Sequence, residues 1–259
     1  MEIIKAVILG TIQGLTEFLP VSSSGHLVIS QTLLGLDPGQ LTLNVFLHFG
    51  TLLPIFIIFW QDIRDIILLK KEKRTLTLLI IIGTLPAGLL GVTLKNYISL
   101  LYASTMTTGY MLLITGSLLF LAEKIPAEEK DLTSFRPLNA LLVGFFQALA
   151  ILPGISRSGS TIVGALLQKL NREDAARFSF LLSIPVILGA GVLEAGEILV
   201  HGTKGTSYSA ILSGTLMAAI SGYLAIKFLL HILKKGSLIV FSIYCWSLGA
   251  IVLLSAGLF

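Results

Sequence analysis

Long apolar runs alternate with short charged connectors along the chain. Six stretches, at about 41–60, 76–93, 105–122, 178–199, 209–230 and 238–258, each approach the length a helix needs to cross a hydrocarbon core, about 20 apolar residues. Two segments break this pattern. Residues 3–34 and 137–168 are each a little over thirty residues long, and each holds a polar block at mid-length: "TEFLPVSSSGH" at 16–26 and "PGISRSG" at 153–159. Such a segment is too long for one span and too short for two spans with a turn. We read each as a re-entrant hairpin, a half-helix in, an irregular tip and a half-helix back. Irregular backbone at membrane depth is tolerated only where protein or a wet cavity surrounds it.

Charge tests the reading. If 137–168 re-enters, Arg64, Lys70, Lys71, Lys73, Arg74, Lys124, Lys130, Arg136, Lys169, Arg172, Arg177, Lys227, Lys234 and Lys235 share one side, leaving Lys5, Lys95 and Lys204 opposite. That split of 14 to 3 would fall to 10 against 7 if both odd segments crossed, so the positive-inside rule favours re-entry of the second. It leaves the first undecided, since only Lys5 changes side. An internal repeat addresses that segment. At an offset of 134, Gly10, Gln13, Leu15, Ser22, Ser24 and Gly25 fall on Gly144, Gln147, Leu149, Ser156, Ser158 and Gly159. Three spans between the copies would turn the second upside down, an arrangement in which broken helices meet at the midplane. The expected fold is therefore an all-α integral membrane protein. It has six transmembrane helices plus two re-entrant helical hairpins in an inverted-topology repeat. The chain 1–259 forms one polytopic domain, with repeat one at about 1–122 and repeat two at about 137–259.

Composition fixes the class. Of the residues 54% are hydrophobic and 12% charged, and the mean hydropathy is +0.92, outside the range of soluble domains. The opening "MEIIKAVILGTIQG" lacks the layout of a cleavable signal. A single cysteine, Cys245, excludes a disulfide framework and a thiolate metal cluster. The net charge of +4 sits in short connectors, so it reports orientation and gives no reason to expect nucleic acid. Glu123, Glu128, Glu129, Asp131, Glu173 and Asp174 read as solvated loop charges, Glu194 and Glu197 as water-facing at the outer end of a span, and "FLLHILKKGS" as a cytoplasmic anchor.

The tips concentrate the candidate chemistry. Gln13 and Glu17, four apart, project from one face of the entering half-helix. Pro20 ends that helix, Ser22, Ser23 and Ser24 can cap the next, and His26 falls in its first turn. In the second tip Pro153 and Gly154 break the helix, Ser156 caps, and Arg157 stands at the new N-terminus. Helix N-termini hold phosphate through free N–H groups, and a guanidinium adds a matching fork of donors. A cation, hydroxyls, an imidazole and a carboxylate together suit binding a phosphorylated ligand and attacking its phosphorus. Each residue also has a structural reading: Ser22 and Ser24 as plain caps, Glu17 and Arg157 as a buried ion pair, and His26 as a hydrogen-bonded core histidine. His48, inside an apolar run, reads equally as packing.

"QGLTEFLPVSSSGHL" followed by "LPGISRSGSTI" resembles the undecaprenyl-diphosphate phosphatase family, also called bacitracin-resistance proteins, across essentially the whole chain. The resemblance implies a bacterial enzyme of the cytoplasmic (inner) membrane, its site open to the outer face. It hydrolyses undecaprenyl diphosphate to the monophosphate, recycling the lipid carrier of cell-wall synthesis. It implies Glu17, Ser23, His26 and Arg157 as catalytic residues, and Gln13, Ser22, Ser24, Gly25, Gly154, Ser156, Ser158 and Thr161 as substrate-binding residues. A divalent cation, Mg²⁺ or Ca²⁺, supports activity in the family, with Glu17 its candidate ligand. Gln13 stands where some members have a second Glu, which leaves one carboxylate here. The nucleophile is open between Ser23 and His26. Expected partners are a polyprenyl diphosphate lipid, the bilayer and a second copy in a homodimer. "SSSGH" also resembles the signature of acid-phosphatase-type lipid phosphatases, but Lys130 to Arg136-Pro137 misses their spacing and no suitable later His and Asp follow. The rival from another class is a transporter or flippase of a polyprenyl phosphate lipid. A reactive histidine and serine set beside a buried Arg–Glu pair speaks for an enzyme, and phosphate release discriminates.

Overall fold

The computed structural model describes residues 2–36, 41–94, 104–126, 130–201 and 206–255. Eleven α-helices make up the described architecture: α1 (Glu2–Phe18), α2 (Ser23–Leu33), α3 (Leu41–Ile58), α4 (Trp60–Ile67), α5 (Arg74–Thr93), α6 (Thr105–Glu123), α7 (Pro137–Leu149), α8 (Arg157–Leu167), α9 (Arg172–His201), α10 (Tyr208–Lys235) and α11 (Ile239–Ser255). Four helices, α5, α6, α9 and α10, are long and apolar enough to cross a membrane, and α3 joins them when taken with α4. The last expected span falls on α11, at 17 residues a shorter apolar helix of about 25 Å. The run read as ending near residue 60 bends by 93° at Phe59, and α4 continues with Asp62, Arg64 and Asp65.

Both odd segments return to the side they start from. In the first, the Lys5 ammonium donates to the Leu34 carbonyl at 2.5 Å, tying the start of α1 to the end of α2. In the second, Asn139 at the start of α7 donates to the Gln168 side chain just after α8 at 2.9 Å. The connectors named by the charge count are also physically joined. Asp62 of α4 binds Lys73 and, through both oxygens, Arg177 of α9. Lys130 pairs with Leu170, and the Glu123 carboxylate accepts from Arg172 at 3.3 Å and from the Leu238 amide at 2.8 Å. Two of the acidic residues expected to be merely solvated thus tie connectors together: Glu123, and Asp174, which accepts from the Leu132 amide and from Asn171. Glu128, Glu129, Lys95, Lys204 and the side chains of Glu194 and Glu197 lie outside the described residues.

Polarity is arranged for lipid rather than water. Leu89, Ile57 and Leu254 stand well out of the bundle, while Gln13, Gln147, Thr161, Ser179 and Ser183 are at most 1% exposed. With no hydrophobic drive between helices in a bilayer, close approach depends on small residues. The α1/α10 crossing runs through Gly10 and Gly14. A Cβ on Gly10 would meet the Gly214 carbonyl oxygen at 2.1 Å, and one on Gly14 would meet Ser221 Oγ at 2.1 Å. The α7/α5 crossing does the same: a Cβ on Gly144 would lie 2.5 Å from the Gly83 carbonyl oxygen. Gly10 and Gly144 are repeat partners, and each hairpin's entering helix packs on the middle span of the other half.

Candidate active site

The two tips meet, and they do so reciprocally. Ser22 caps α2, its Oγ accepting from the Gly25 amide at 3.2 Å. Ser156 caps α8, its Oγ accepting from the Gly159 amide at 3.0 Å. One position beyond each cap's neighbour, Ser24 Oγ accepts from the Gly154 amide of the second tip at 3.4 Å, while Ser158 Oγ donates to the Leu19 carbonyl of the first at 3.0 Å. The glycines complete the match: a Cβ on Gly25 would press on Gly154 Cα at 3.1 Å, and one on Gly159 would press on Pro20 Cβ at 3.3 Å. The turns need unusual backbone to come so near. Ser22 has φ 71° and Gly154 φ 100°, and the left-handed value at a serine costs about 1–3 kcal/mol that the surrounding contacts must offset.

Glu17 lies at the junction, buried, one helical turn after Gln13. One carboxylate oxygen, Oε2, accepts from Gln13 Nε2 at 2.9 Å and from Ser23 Oγ at 2.6 Å. The other accepts from the Arg157 guanidinium at 2.5 Å. Arg157 also donates to the Ser179 carbonyl of α9 at 3.2 Å, which spends two of its five N–H groups and leaves others for a ligand. Gln13 Oε1 is buried with no partner, an acceptor that a bound hydroxyl or water would satisfy.

His26 does not join this group. Its Nδ1 lies 2.8 Å from the Ser22 carbonyl and its Nε2 2.7 Å from the Tyr244 hydroxyl, with the two rings stacked at 5.6 Å. A carbonyl can only accept, so Nδ1 carries the proton and Tyr244 donates to Nε2. Thr161 is also turned away, its hydroxyl paired with Ser179 Oγ at 2.6 Å inside the α8/α9 contact. Three residues outside the expected set of site residues stand close to the site. Tyr244 of α11 holds His26, and Thr115 of α6 holds the second tip from both sides, donating to the Gly154 carbonyl at 2.9 Å and accepting from the Ser156 amide at 3.1 Å. His48 of α3, for which packing is one of two equal readings of the sequence, places Nε2 3.6 Å from Glu17 Oε2. Only its position four after Asn44 in an apolar run hinted at this.

A re-entrant pair of helix N-termini, with a hydroxyl hydrogen-bonded to a carboxylate beside a guanidinium, defines a polytopic membrane protein equipped to handle a phosphorylated lipid. Comparison with known proteins makes the assignment specific. A profile of the family described as "Bacitracin resistance protein BacA" matches residues 6–251, and the chain belongs to that family. It is 55% identical to an undecaprenyl-diphosphatase of Halothermothrix orenii over all of both chains. It is 48% identical to one from Carboxydothermus hydrogenoformans, also over all of both, and 44% identical to one from Alkaliphilus metalliredigens over 98% of each.

Proposed function

We infer that this chain is an undecaprenyl-diphosphate phosphatase, and that Ser23 is its nucleophile. It hydrolyses undecaprenyl diphosphate to undecaprenyl phosphate and inorganic phosphate, returning the lipid carrier to cell-wall synthesis and giving resistance to bacitracin. The observation that carries the assignment of roles is the 2.6 Å hydrogen bond from Ser23 Oγ to Glu17, whose other oxygen holds Arg157. A nucleophile and a phosphate-binding cation thus share one carboxylate, itself the proton acceptor. His26 has both ring nitrogens engaged elsewhere, which favours Ser23 over the phosphohistidine route and gives His26 the task of holding the α2 tip to α11.

The diphosphate enters at the N-termini of α2 and α8, with the isoprenoid tail among the spans. Arg157 and the tip amides hold the terminal phosphoryl group. Ser23 Oγ then bonds to the terminal phosphorus as the bridging P–O bond breaks, its proton passes to Glu17, and undecaprenyl phosphate leaves. The residues present do not fit a protein-held divalent cation. Among the described residues no three His, Cys, Asp or Glu side chains cluster as ligands. Glu17 itself is occupied by Arg157, Gln13 and Ser23. A cation that supports turnover is then a companion of the diphosphate rather than a resident of the protein, and Glu17 is not its ligand. The basic connectors would face the cytoplasm and the site would open to the outer face of the bacterial inner membrane.

The test is phosphate release from undecaprenyl diphosphate by the detergent-solubilised protein, with the phosphoryl-enzyme trapped and mapped. Release with label on Ser23, abolished in Ser23→Ala, is expected. A protein that only moves the lipid would release no phosphate, and label on His26 would remove Ser23 from its role.

A further inference from the structure

The reaction above leaves a phosphoserine that water must hydrolyse, and Glu17 then already holds the serine proton. A second proton acceptor is required, and Gln13, an amide, cannot serve. We propose that His48 is that acceptor, the general base of the second half-reaction. This rests on the phosphatase reading with Ser23 as nucleophile.

The geometry singles out His48 among the imidazoles near the tips. Its Nδ1 lies 2.7 Å from the Asn44 carbonyl one helical turn back, so Nδ1 is the protonated nitrogen and Nε2 is left with its lone pair. Asn44 is in turn fixed by the Gln31 side chain at 2.8 Å, which clamps α3 to α2 beside the tip. The ring is therefore oriented by a second group, as a working base is. Nε2 points to Glu17 Oε2, the same oxygen that accepts from Ser23, at 3.6 Å. That distance is too long for a hydrogen bond and leaves Nε2 free to take another partner. The His48 side chain is also 30% exposed, against 5% for Glu17, so it is the less enclosed of the two candidate proton acceptors. His26 offers the opposite on each point, being buried and bonded at both nitrogens.

A water oxygen bonds to the phosphorus of phosphoserine 23 while one of its protons passes to His48 Nε2. The P–Oγ bond breaks, and Oγ recovers its proton from the Glu17 carboxyl. Inorganic phosphate leaves, and the imidazolium beside the restored Glu17 carboxylate gives its proton to solvent. Among the described residues the charged group within ion-pair distance of His48 is Glu17, itself paired with Arg157. The described residues of α9 and α10, which also pack on α3, add no ion pair to it.

The experiment follows both half-reactions in the full-length protein with undecaprenyl diphosphate labelled in its terminal phosphoryl group, across pH. In the wild type, acidification is expected to slow release of phosphate more than formation of undecaprenyl phosphate, so phosphoserine accumulates. In His48→Gln, one equivalent of undecaprenyl phosphate should appear in a burst, with label retained on Ser23. Steady-state phosphate release should be about 10²–10⁴-fold slower and without the acid limb. A residue that merely braced the fold would slow both steps together and leave no phosphoserine. That result, wild-type turnover in the variant, or no accumulation in acidified wild type would overturn the proposal. The wild-type measurement needs no folded variant. A wild type that releases no phosphate, or is labelled elsewhere than Ser23, identifies failure of the underlying phosphatase reading instead.

Discussion

Replacing Gly14 by alanine should damage catalysis without touching a reacting group. The added Cβ would lie 2.1 Å from Ser221 Oγ, 2.3 Å from the Ala218 carbonyl oxygen and 2.7 Å from the Gly222 amide nitrogen. Ser221 could rotate, but two of the three contacts are backbone of α10, so α1 and α10 must separate by the better part of an ångström. Overpacking of this kind costs about 1–3 kcal/mol. Glu17 lies one turn beyond Gly14 on the same rigid helix, so the displacement carries the carboxylate away from Arg157 and Ser23, which other elements position. A misplacement of about 1 Å can cost roughly 100-fold in rate. The assay is thermal unfolding in detergent together with phosphate release from undecaprenyl diphosphate. Gly88→Ala on α5 serves as the control, since nothing lies within 4 Å of its added Cβ. It should be neutral or stabilise slightly by improving helix propensity. If Gly14→Ala matches Gly88→Ala in both melting and rate, then the α1/α10 contact does not set the position of Glu17 and the reasoning fails.

Glu17→Gln removes the acceptor for the Ser23 proton and leaves Arg157 without its carboxylate. Phosphate release should fall at least 100-fold, and the melting temperature should drop, because breaking a buried pair costs about 3–5 kcal/mol. Tyr244→Phe removes one hydrogen bond to His26, worth about 1 kcal/mol, and should lower the rate several-fold while sparing the phosphorylated residue; complete loss of activity would mean that Tyr244 takes part in the chemistry. On the connector side, partial burial pushes the Asp62 carboxyl up, but hydrogen bonds and charge from Arg177 and Lys73 outweigh it and hold the group below its ordinary value of 3.8. Its stabilising contribution is therefore complete above about pH 4 and fades as pH falls through the lowered value. Melting curves should show Asp62→Asn less stable than wild type at pH 7, with the gap closing in acid.

The bilayer explains what the sequence reveals and what it hides. A spanning helix must hold about 20 apolar residues, and a polar block inside such a run has few permitted structures. The spans, both hairpins and the residues of the tips were therefore legible one segment at a time. Helix crossings leave a mark in the sequence, since Gly10 and Gly14, and likewise Gly214, Ala218 and Gly222, recur at the four-residue spacing that lets backbones touch, but the spacing does not say which helices pair. The bend at Phe59 was not legible, since "FIIFWQDIRDII" keeps apolar residues on both sides of the break. Nor were the partners that arrive from distant helices. His48 and Tyr244 are single polar groups in apolar runs, and only packing of α3 and α11 around the tips gives either one a ligand to hold.

The repeat itself separates scaffold from chemistry. Where the two tips carry the same residue, they do the same structural job. Ser22 and Ser156 cap, Ser24 and Ser158 reach across to the opposite turn, and Gly25 and Gly159 admit the facing tip. Even Gln13 and Gln147 each bury a carbonyl oxygen without a partner. Where the tips differ, one half has taken on reactivity. Glu17 faces the repeat position of Ile151 and Ser23 that of Arg157, while His26, which braces α2 against α11, faces that of Ser160. Two matched tips would build two equivalent half-sites, each with its own serine and carboxylate but with no guanidinium for the phosphate. Substituting arginine for one serine, and isoleucine for one glutamate, gives a single site in which Arg157 reaches across the pseudo-symmetric junction to the one remaining carboxylate. The symmetric positions make the tips meet, and the asymmetric ones decide what happens where they do.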